Sequence, residues 1–348
     1  MAQAAAQRLV SRALLSLPAP VLRLMAGGGA VYRGGRTLDP RFQFLAAQAR
    51  RQPPMEGLPP DEVRKGEAVL IGAVTSDPAP GVRWTAEAIP GPEGAIPARA
   101  YRPEAQDPDV PLMVWAHMGG GVIGTLETSH AFCSLLAAVT RGPVLSVDYR
   151  LAPEHRFPAG LEDVLCAYRW GRDNASLFGA PTGRAAIGGD SMGGNFAAIV
   201  CQEMKRAREP QPDLQLLVYP CTDVASETPS MTLFADAFPL NRAMMDWFIG
   251  QYLAPDSNPA DPRLSPIKSK DLSGLAPAIV VTAGFDPLVD QGETYARALK
   301  DAGVSCVYRR YDSLAHAFVA FGGAVPAAAE ASREIAGLVR DGLQRAED

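Results

Sequence analysis

The segment GDSMGG at residues 189–194 places Ser191 between an apolar run, RAAIG, and a helix-forming run, NFAAIVCQEMKRA. A strand, a tight turn and a helix are the context of the Gly-x-Ser-x-Gly nucleophile elbow, in which small neighbours let the turn pack closely while the hydroxyl stands above the sheet. The five-residue pattern alone is weak in a chain with 33 glycines, so the strand-to-helix context is what makes it informative. It predicts nucleophilic attack by Ser191 on a carbonyl carbon.

A serine hydroxyl is a poor nucleophile near neutral pH, so Ser191 needs a base to take its proton and an acid to orient that base. Around a nucleophile elbow these groups follow in the chain order serine, acid, histidine. His316 is the only histidine after Ser191, and it follows the last predicted strand, SCVYRRY. A single histidine in a loop is ordinarily structural, but no other residue is left for the required role, and we therefore predict His316 as the base.

Two aspartates, Asp286 and Asp290, follow the apolar run PAIVVTAGF, which is the strand before His316. Asp286 comes directly off the strand end, where a carboxylate has a fixed direction, and we predict it as the acid. Asp290, four residues further on, suits an N-cap or a first-turn position favoured by the helix dipole.

Acyl transfer also needs N–H donors aimed at the oxyanion of the tetrahedral intermediate. The loop HMGGG at residues 117–121 follows the third predicted strand, and its glycines let backbone N–H groups approach a substrate closely. The N–H of Met192, the residue after the nucleophile, is a further predicted donor. A phosphate-binding turn is the alternative, but no Lys-Ser/Thr follows the glycines and the dinucleotide-binding spacing is only loosely met.

From about residue 80 onward, β-branched runs alternate with helical stretches, and these elements must position the residues named above. This pattern predicts an α/β fold with an eight-stranded, mostly parallel sheet flanked by helices. The first two runs are joined by PGPEG, a hairpin signal, so the first pair is expected to be antiparallel. The predicted strands are VRWTAEAI, AIPARAYR, PLMVWAH, PVLSVDYR, RAAIGGD, LQLLVYP, PAIVVTAGF and SCVYRRY.

Two regions fall outside this alternation, residues 1 to about 55 and about 222–265. Within the second region Asn241 is a plausible N-cap. Four residues that follow it, Met244, Met245, Phe248 and Tyr252, share one helical face. That face either packs on the core or covers a substrate pocket. The predicted division is an N-terminal extension with cap helices at 1–55, an α/β core at 56–221 and 266–348, and a cap insertion at 222–265.

Composition narrows the class of protein. The 348 residues suit one large domain with an appendage, or two domains, and a net charge of −5 leaves no basic field for nucleic acid. Five scattered cysteines without a Cys-x-x-Cys pair, with only four histidines, argue against a disulfide framework or a metal site and favour a cytoplasmic protein. No apolar run approaches the ~18–20 residues of a membrane span, and arginines and prolines interrupt the N-terminal segment, which predicts an amphipathic helical extension there.

Ordered motifs over about residues 38–340 resemble the hormone-sensitive lipase family of α/β-hydrolases, especially its bacterial carboxylesterase branch with Gly-Asp-Ser-x-Gly-Gly. The motifs are His117 with its glycines, DYRLAPEHRFPAGLED at 148–163, GDSMGG, SPI at 265–267, LSGLAPAIVVTAGFDPLVD at 272–290, and His316-Ala317-Phe318. The resemblance implies an α/β-hydrolase fold with a helical cap, no metal or organic cofactor, and a homodimer. The residues it implies are Ser191, Asp286 and His316 as a catalytic triad, Gly119, Gly120 and Met192 as oxyanion donors, and Asp148, Arg150 and Glu154 as supports of the loop behind the triad.

The chain departs from the family pattern near the oxyanion loop. The family usually has His-Gly-Gly-Gly followed by Trp or Phe. In this chain Met118 stands in place of the first glycine and Gly121 in place of the aromatic residue. The alternative alignment places a one-residue insertion in the loop. We expect the pliable side chains of Met118 and Met192 to fill the volume that the aromatic leaves, so that Gly121 reshapes the pocket. The predicted pocket residues are Met118, Gly121, Met244 and Phe248.

The motifs predict a carboxylesterase acting on small-molecule esters, with an acyl chain limited to about C2–C8 by a capped pocket. Amide or formamide hydrolysis would use the same triad and is the nearer alternative. A non-catalytic ligand receptor of the same fold, such as the plant gibberellin receptors, is the more distant one, because there the triad histidine is replaced whereas His316 is present here.

Overall fold

A computed structural model describes residues 12–344, with Glu56 described by its backbone only. Its main sheet has eight strands in the order β10-β9-β8-β7-β5-β6-β4-β3, and a separate two-stranded sheet pairs β1 with β2. The strands are β1 Tyr32–Arg33, β2 Arg36–Thr37, β3 Val82–Gly91, β4 Gly94–Pro103, β5 Leu112–Ala116, β6 Val144–Val147, β7 Ala185–Asp190, β8 Gln215–Val218, β9 Ala278–Phe285 and β10 Cys306–Ala315.

The main sheet matches the predicted pattern of pairing. β3 and β4 form an antiparallel hairpin, β4 also pairs antiparallel with β6, and every other pair is parallel. All residues of β5, β7 and β9 are buried, as expected for apolar strands covered on both faces. The predicted fold class and the eight strands are therefore confirmed.

The last strand is longer than predicted. The sequence pattern places its end at Tyr311, but β10 continues to Ala315 with a shift of register between Tyr311 and Ala315. The irregularity hides the extension from a period-two pattern. It brings His316, the next residue, to the carboxyl edge of the sheet, where ligand sites of parallel sheets form.

Helices cover both faces of the sheet. Residues of α5, α6 and α9 belong to the apolar core on one face, and residues of α4 and α10 to the core on the other. The helices are α1 Ala19–Met25, α2 Pro40–Ala49, α3 Pro60–Val74, α4 His130–Thr140, α5 Ala159–Asp173, α6 Met192–Ala207, α7 Pro229–Leu233, α8 Arg242–Tyr252, α9 Val289–Asp301 and α10 Pro326–Gln344, with 3-10 turns at Met55–Gly57, Ala175–Phe178, Pro266–Lys268 and Phe318–Phe321.

The segments outside the alternation form short helices and one small hairpin. Asn241 directly precedes α8, and its side chain accepts a 2.7 Å hydrogen bond from the Met244 N–H, which confirms the predicted N-cap. In the N-terminal segment α1 buries Leu22 and leaves Leu24 76 % exposed, while residues 1–11 of the predicted extension lie outside the described residues. The hairpin of β1 and β2 was not predicted, because two-residue strands are too short to show a periodic pattern.

Two properties bear on the compartment and on membranes. All five cysteines have free thiols. Among residues 12–344, no helix combines the length and the apolar character that crossing a bilayer requires.

Candidate active site

Ser191 occupies the sharp turn between β7 and α6. Its backbone has φ +55° and ψ −114°, a region that side-chain-bearing residues rarely adopt. A Cβ atom on Gly189 would lie 2.2 Å from the Gly193 carbonyl carbon, and one on Gly193 would lie 2.0 Å from the Ala116 oxygen. Only glycines allow this close packing, so the local sequence folds as a nucleophile elbow with the Ser191 hydroxyl above the sheet.

Ser191, His316 and Asp286 lie in one hydrogen-bonded chain. His316 Nε2 is 2.9 Å from Ser191 Oγ, and His316 Nδ1 is 2.7 Å from Asp286 Oδ2. The other carboxylate oxygen, Asp286 Oδ1, accepts a 2.8 Å hydrogen bond from the Leu288 N–H. All three side chains of the chain are buried, and Asp286 is fully buried. The arrangement can pass a proton from a serine hydroxyl to an imidazole whose orientation is fixed by a carboxylate.

Asp290, the other aspartate weighed from the sequence, points elsewhere. It lies in the first turn of α9, and its Oδ2 accepts a 2.8 Å hydrogen bond from the backbone N–H of Ser230 at the start of α7. The structure therefore brings Asp286, and not Asp290, to His316.

The glycine loop after β5 folds tightly beside Ser191. Gly119 has φ +124° and Gly120 has φ +62°, and the Gly119 carbonyl accepts 2.9 Å hydrogen bonds from the N–H groups of both Val122 and Ile123. A Cβ on Gly119 would lie 2.0 Å from the Ile123 oxygen, so this position requires glycine. Gly119, Gly120 and Met192 line the same cavity as Ser191 and His316. Backbone N–H groups at these positions could bind a developing oxyanion.

His117, the first residue of that loop, is a buried support. Its Nδ1 donates to the Met118 oxygen at 2.7 Å, and its ring stacks on Tyr149 with the ring centroids 4.3 Å apart. The Tyr149 hydroxyl donates to the His117 carbonyl at 2.8 Å. Burial lowers the pKa of His117 to about 4, so the imidazole is neutral at physiological pH and serves the shape of the loop.

The loop behind these residues is held by ion pairs, in line with the supporting roles implied by the family resemblance. Arg150 contacts Asp163 of α5 at 2.8 Å, and Glu154 contacts Arg64 of α3 at 2.7 Å. The hydrogen bonds from Arg64 lower the pKa of Glu154 to about 2. The Asp148 carboxylate lies 3.9 Å from His117 Nε2.

An apolar cavity of about 210 Å³ lies above Ser191 and His316. Of the predicted pocket residues, Met118, Met244 and Phe248 line it. Six methionines of residues 12–344 do so: Met55, Met118, Met192, Met231, Met244 and Met245. Methionine is unbranched and polarizable, so these parts of the wall can change shape without a change in the backbone.

Gly121, the fourth predicted pocket residue, is not part of the wall, and the expected filling by methionines is wrong at this point. A Cβ on Gly121 would lie 2.7 Å from two ring carbons of Tyr252, the last residue of α8. The Tyr252 ring therefore occupies the volume beside residue 121. Gly121 also has φ +73°, so the glycine serves both the loop conformation and the close approach of α8.

One part of the wall was missed by the sequence reasoning. Glu67, Leu70 and Ile71 of α3 line the cavity, although the sequence analysis gave α3 no role. Glu67 accepts a 3.0 Å hydrogen bond from the Thr128 hydroxyl, and burial raises the pKa of its carboxyl group. The available signal was the spacing of Val63, Ile71 and the later Val74, which puts one apolar stripe on the helix.

Comparisons with known proteins agree with this geometry. A family model described as alpha/beta hydrolase fold matches residues 113–320. The carboxylic ester hydrolase LipN of Mycobacterium tuberculosis is 45% identical over 312 residues, 87% of this chain and 82% of that protein. An ethyl acetate hydrolase of Pseudomonas putida is 37% identical over 68% of this chain and 75% of that protein. A solved alpha/beta hydrolase enzyme from the metagenome of Lake Arreo, Spain, superimposes with a TM-score of 0.84 at 39% identity, covering 87% of this chain and 98% of that one.

The predicted family and fold are thus confirmed from two directions, by relatives well above 30% identity and by solved structures of the same architecture. Both of these relatives are named as ester hydrolases. The chain belongs to the α/β-hydrolase family, in its hormone-sensitive-lipase-like branch of carboxylic ester hydrolases.

Proposed function

We propose that the protein is a carboxylesterase that hydrolyses short- to medium-chain esters through an acyl-enzyme on Ser191. The observation that carries this proposal is the hydrogen-bonded chain of Ser191, His316 and Asp286 at the floor of an apolar cavity. The names of the relatives, carboxylic ester hydrolase and ethyl acetate hydrolase, favour esters over amides as substrates.

The reaction proceeds in two halves. As Ser191 Oγ attacks the ester carbonyl, its proton passes to His316 Nε2, and that proton leaves with the alcohol as the acyl-enzyme forms. His316 then takes a proton from water, the hydroxide attacks the acyl carbonyl, and the proton returns to Ser191 as the carboxylic acid departs. Asp286 holds the Nδ1–H tautomer and stabilises the imidazolium in both halves.

The oxyanion of each tetrahedral intermediate is bound by backbone N–H groups of Gly119, Gly120 and Met192. This role is supported by the position of the three residues on the cavity wall next to Ser191. Each such donor contributes about 2.7–4 kcal/mol to transition-state binding. No metal ion or organic cofactor takes part in this scheme.

We propose that the insertion 222–265, with the N-terminal extension at 1–55, forms a cap on the core segments 56–221 and 266–348. In support, α8 supplies one wall of the cavity, and a Cβ on Gly120 would lie 2.4 Å from the Phe248 ring, so α8 rests directly on the oxyanion loop. The wall contributed by α3 extends the covering surface past residue 55.

The cavity supports the proposed substrate range. Each CH₂ group that it buries favours binding by about 0.8 kcal/mol until the space is filled. A homodimer and a cytoplasmic location complete the proposal. The dimer rests on the family resemblance, and the location is supported by the five free thiols.

The proposal is tested by labelling with a fluorophosphonate probe and by ester turnover. Ser191→Ala should lose both, because Ser191 Oγ has a base at hydrogen-bond distance. The exposed Ser176 provides a matched control, and Ser176→Ala should label and turn over like the wild type. Labelling and turnover that survive in Ser191→Ala would show that the nucleophile is another residue.

A further inference from the structure

The residue before the nucleophile, Asp190, has a carboxylate in unusual surroundings. It is 1 % exposed, and its Oδ2 accepts a 3.1 Å hydrogen bond from the Tyr219 hydroxyl. The nearby backbone N–H of Met118, at the start of the oxyanion loop, favours the ionised form and lowers the pKa of this carboxyl group, which burial raises. Its Oδ1 has no hydrogen-bond partner within the described part of the chain. A buried carboxylate oxygen without a partner destabilises the fold, so a functional reason for its presence is worth seeking.

Tyr219 connects Asp190 with the imidazole. It follows β8 with φ +36°, a value that is rare for a bulky residue, and its ring centroid lies 4.8 Å from that of His316. Its hydroxyl reaches Asp190 while its ring packs on His316, and both Tyr219 and Asp190 are buried. The strained backbone indicates that this position of the ring is maintained by its surroundings.

We propose that Asp190 is a positioning residue for the ester hydrolysis described above: its carboxylate, at the end of the strand that leads to Ser191, holds the Tyr219 ring against His316. The inference therefore rests on the proposed function. Asp190 does not touch His316 or the substrate, and it acts through Tyr219 and through its charge.

The charge matters because His316 becomes a cation when it takes the serine proton. The titratable groups that face Asp190 are Tyr219, His316, Tyr149 and the Cys133 thiol of α4. No lysine or arginine side chain in residues 12–344 forms an ion pair with Asp190 that would neutralise it. Burial raises the pKa of Asp190 to about 7, so the carboxylate is ionised above that pH and there stabilises the imidazolium across a medium of low dielectric constant.

The test measures kcat and KM against pH for Asp190→Asn and Tyr219→Phe. Each change leaves the shape of the side chain nearly unaltered, while the first removes the charge and the second removes the hydroxyl donor. In Asp190→Asn the fall in kcat should be larger at pH 8 than at pH 6, because the carboxylate stabilises the imidazolium only where it is ionised. Tyr219→Phe keeps the carboxylate and loses the donor that anchors the ring, so its fall in kcat should depend less on pH. At the pH optimum kcat should fall about tenfold, with KM within about twofold of the wild type.

Two further variants sharpen the test. The double variant Asp190→Asn/Tyr219→Phe should behave like Asp190→Asn alone, because both changes break one network. Tyr168→Phe is the matched control, since Tyr168 is a fully buried phenol on α5 outside the site, and it should leave the pH profile unchanged. If Asp190→Asn does not fold, Tyr219→Phe alone decides.

The inference is overturned if Asp190→Asn and Tyr219→Phe keep the wild-type pH profile and kcat, even where their melting temperatures fall. Ser191→Ala separates this failure from a failure of the proposed function. An inactive Ser191→Ala beside unaltered Asp190 and Tyr219 variants refutes the positioning role alone, whereas an active Ser191→Ala refutes the catalytic scheme itself.

Discussion

Replacing Asp286 by asparagine tests the acid of the proposed triad, because the structure leaves the new amide no good orientation. Asp286 Oδ2 accepts from His316 Nδ1 at 2.7 Å, and Oδ1 accepts from the Leu288 N–H at 2.8 Å. If the amide NH₂ faces Leu288, two donors oppose each other at a buried site. If it faces His316, the imidazole must carry its proton on Nε2, where it can no longer accept the proton of Ser191.

The first orientation is disfavoured by the two facing donors, and the second removes the base. If the second prevails, the loss should resemble the ~10⁴-fold fall known for the equivalent change in a serine protease triad, about 5.4 kcal/mol of activation free energy. Asp290→Asn is the matched control. Asparagine Oδ1 can still accept from the Ser230 N–H, so its kcat should stay within about tenfold. The assay is steady-state hydrolysis of p-nitrophenyl acetate, with the active fraction titrated by a fluorophosphonate. A loss of thousands-fold in Asp290→Asn with little loss in Asp286→Asn would refute the assignment.

Activity on a series of p-nitrophenyl esters should peak between about C2 and C8, since each CH₂ adds about 0.8 kcal/mol only until the cavity is full; a maximum at C16 with activation at an oil interface would contradict this. Gly121→Ala should depress hydrolysis of acetate and bulky esters alike, because any Cβ at this position collides with Tyr252. The control Gly250→Ala, which has open space around its Cβ, should leave hydrolysis unchanged. A loss confined to bulky esters would mean that residue 121 shapes the pocket. Burial raises the pKa of Asp190 from 3.8 to about 7. Between about pH 4 and 7 the folded protein therefore keeps a proton on Asp190 that the unfolded chain has released. The free energy of unfolding falls as pH rises through that range. Asp190→Asn should therefore raise the melting temperature relative to wild type more at pH 8 than at pH 4, and an equal change at both would contradict burial of the charge.

The features predicted well from the sequence are those set by short stretches of chain. The elbow around Ser191 follows from glycines two residues to either side, and the buried strands follow from uninterrupted apolar runs. His316 and Asp286 were found because a serine nucleophile requires partners and the chain offers few candidates. This reasoning identified Asp286 and His316, which lie 30 residues apart in the chain and whose side chains are 2.7 Å apart.

The features that escaped prediction depend on contacts between distant segments. Nothing near Gly121 shows that Tyr252, on a helix 131 positions later, fills the space beside it. The pairing of Tyr219 with Asp190 likewise joins the ends of two adjacent strands whose lateral order the sequence does not state. Such contacts depend on how whole helices and strands pack against one another, and the pattern of residue types along the sequence does not specify that packing.

The methionine-rich wall of the cavity has a consequence for affinity. A methionine side chain loses up to about 1.5–2 kcal/mol of conformational entropy when it is immobilised, so a substrate that fixes several of the six methionines forfeits part of the free energy that its buried CH₂ groups supply. The net gain in binding free energy per buried CH₂ group is then smaller than the ~0.8 kcal/mol of a rigid pocket. Adding or removing one methylene group of the ester should therefore change affinity less here than in a cavity lined by branched or aromatic side chains.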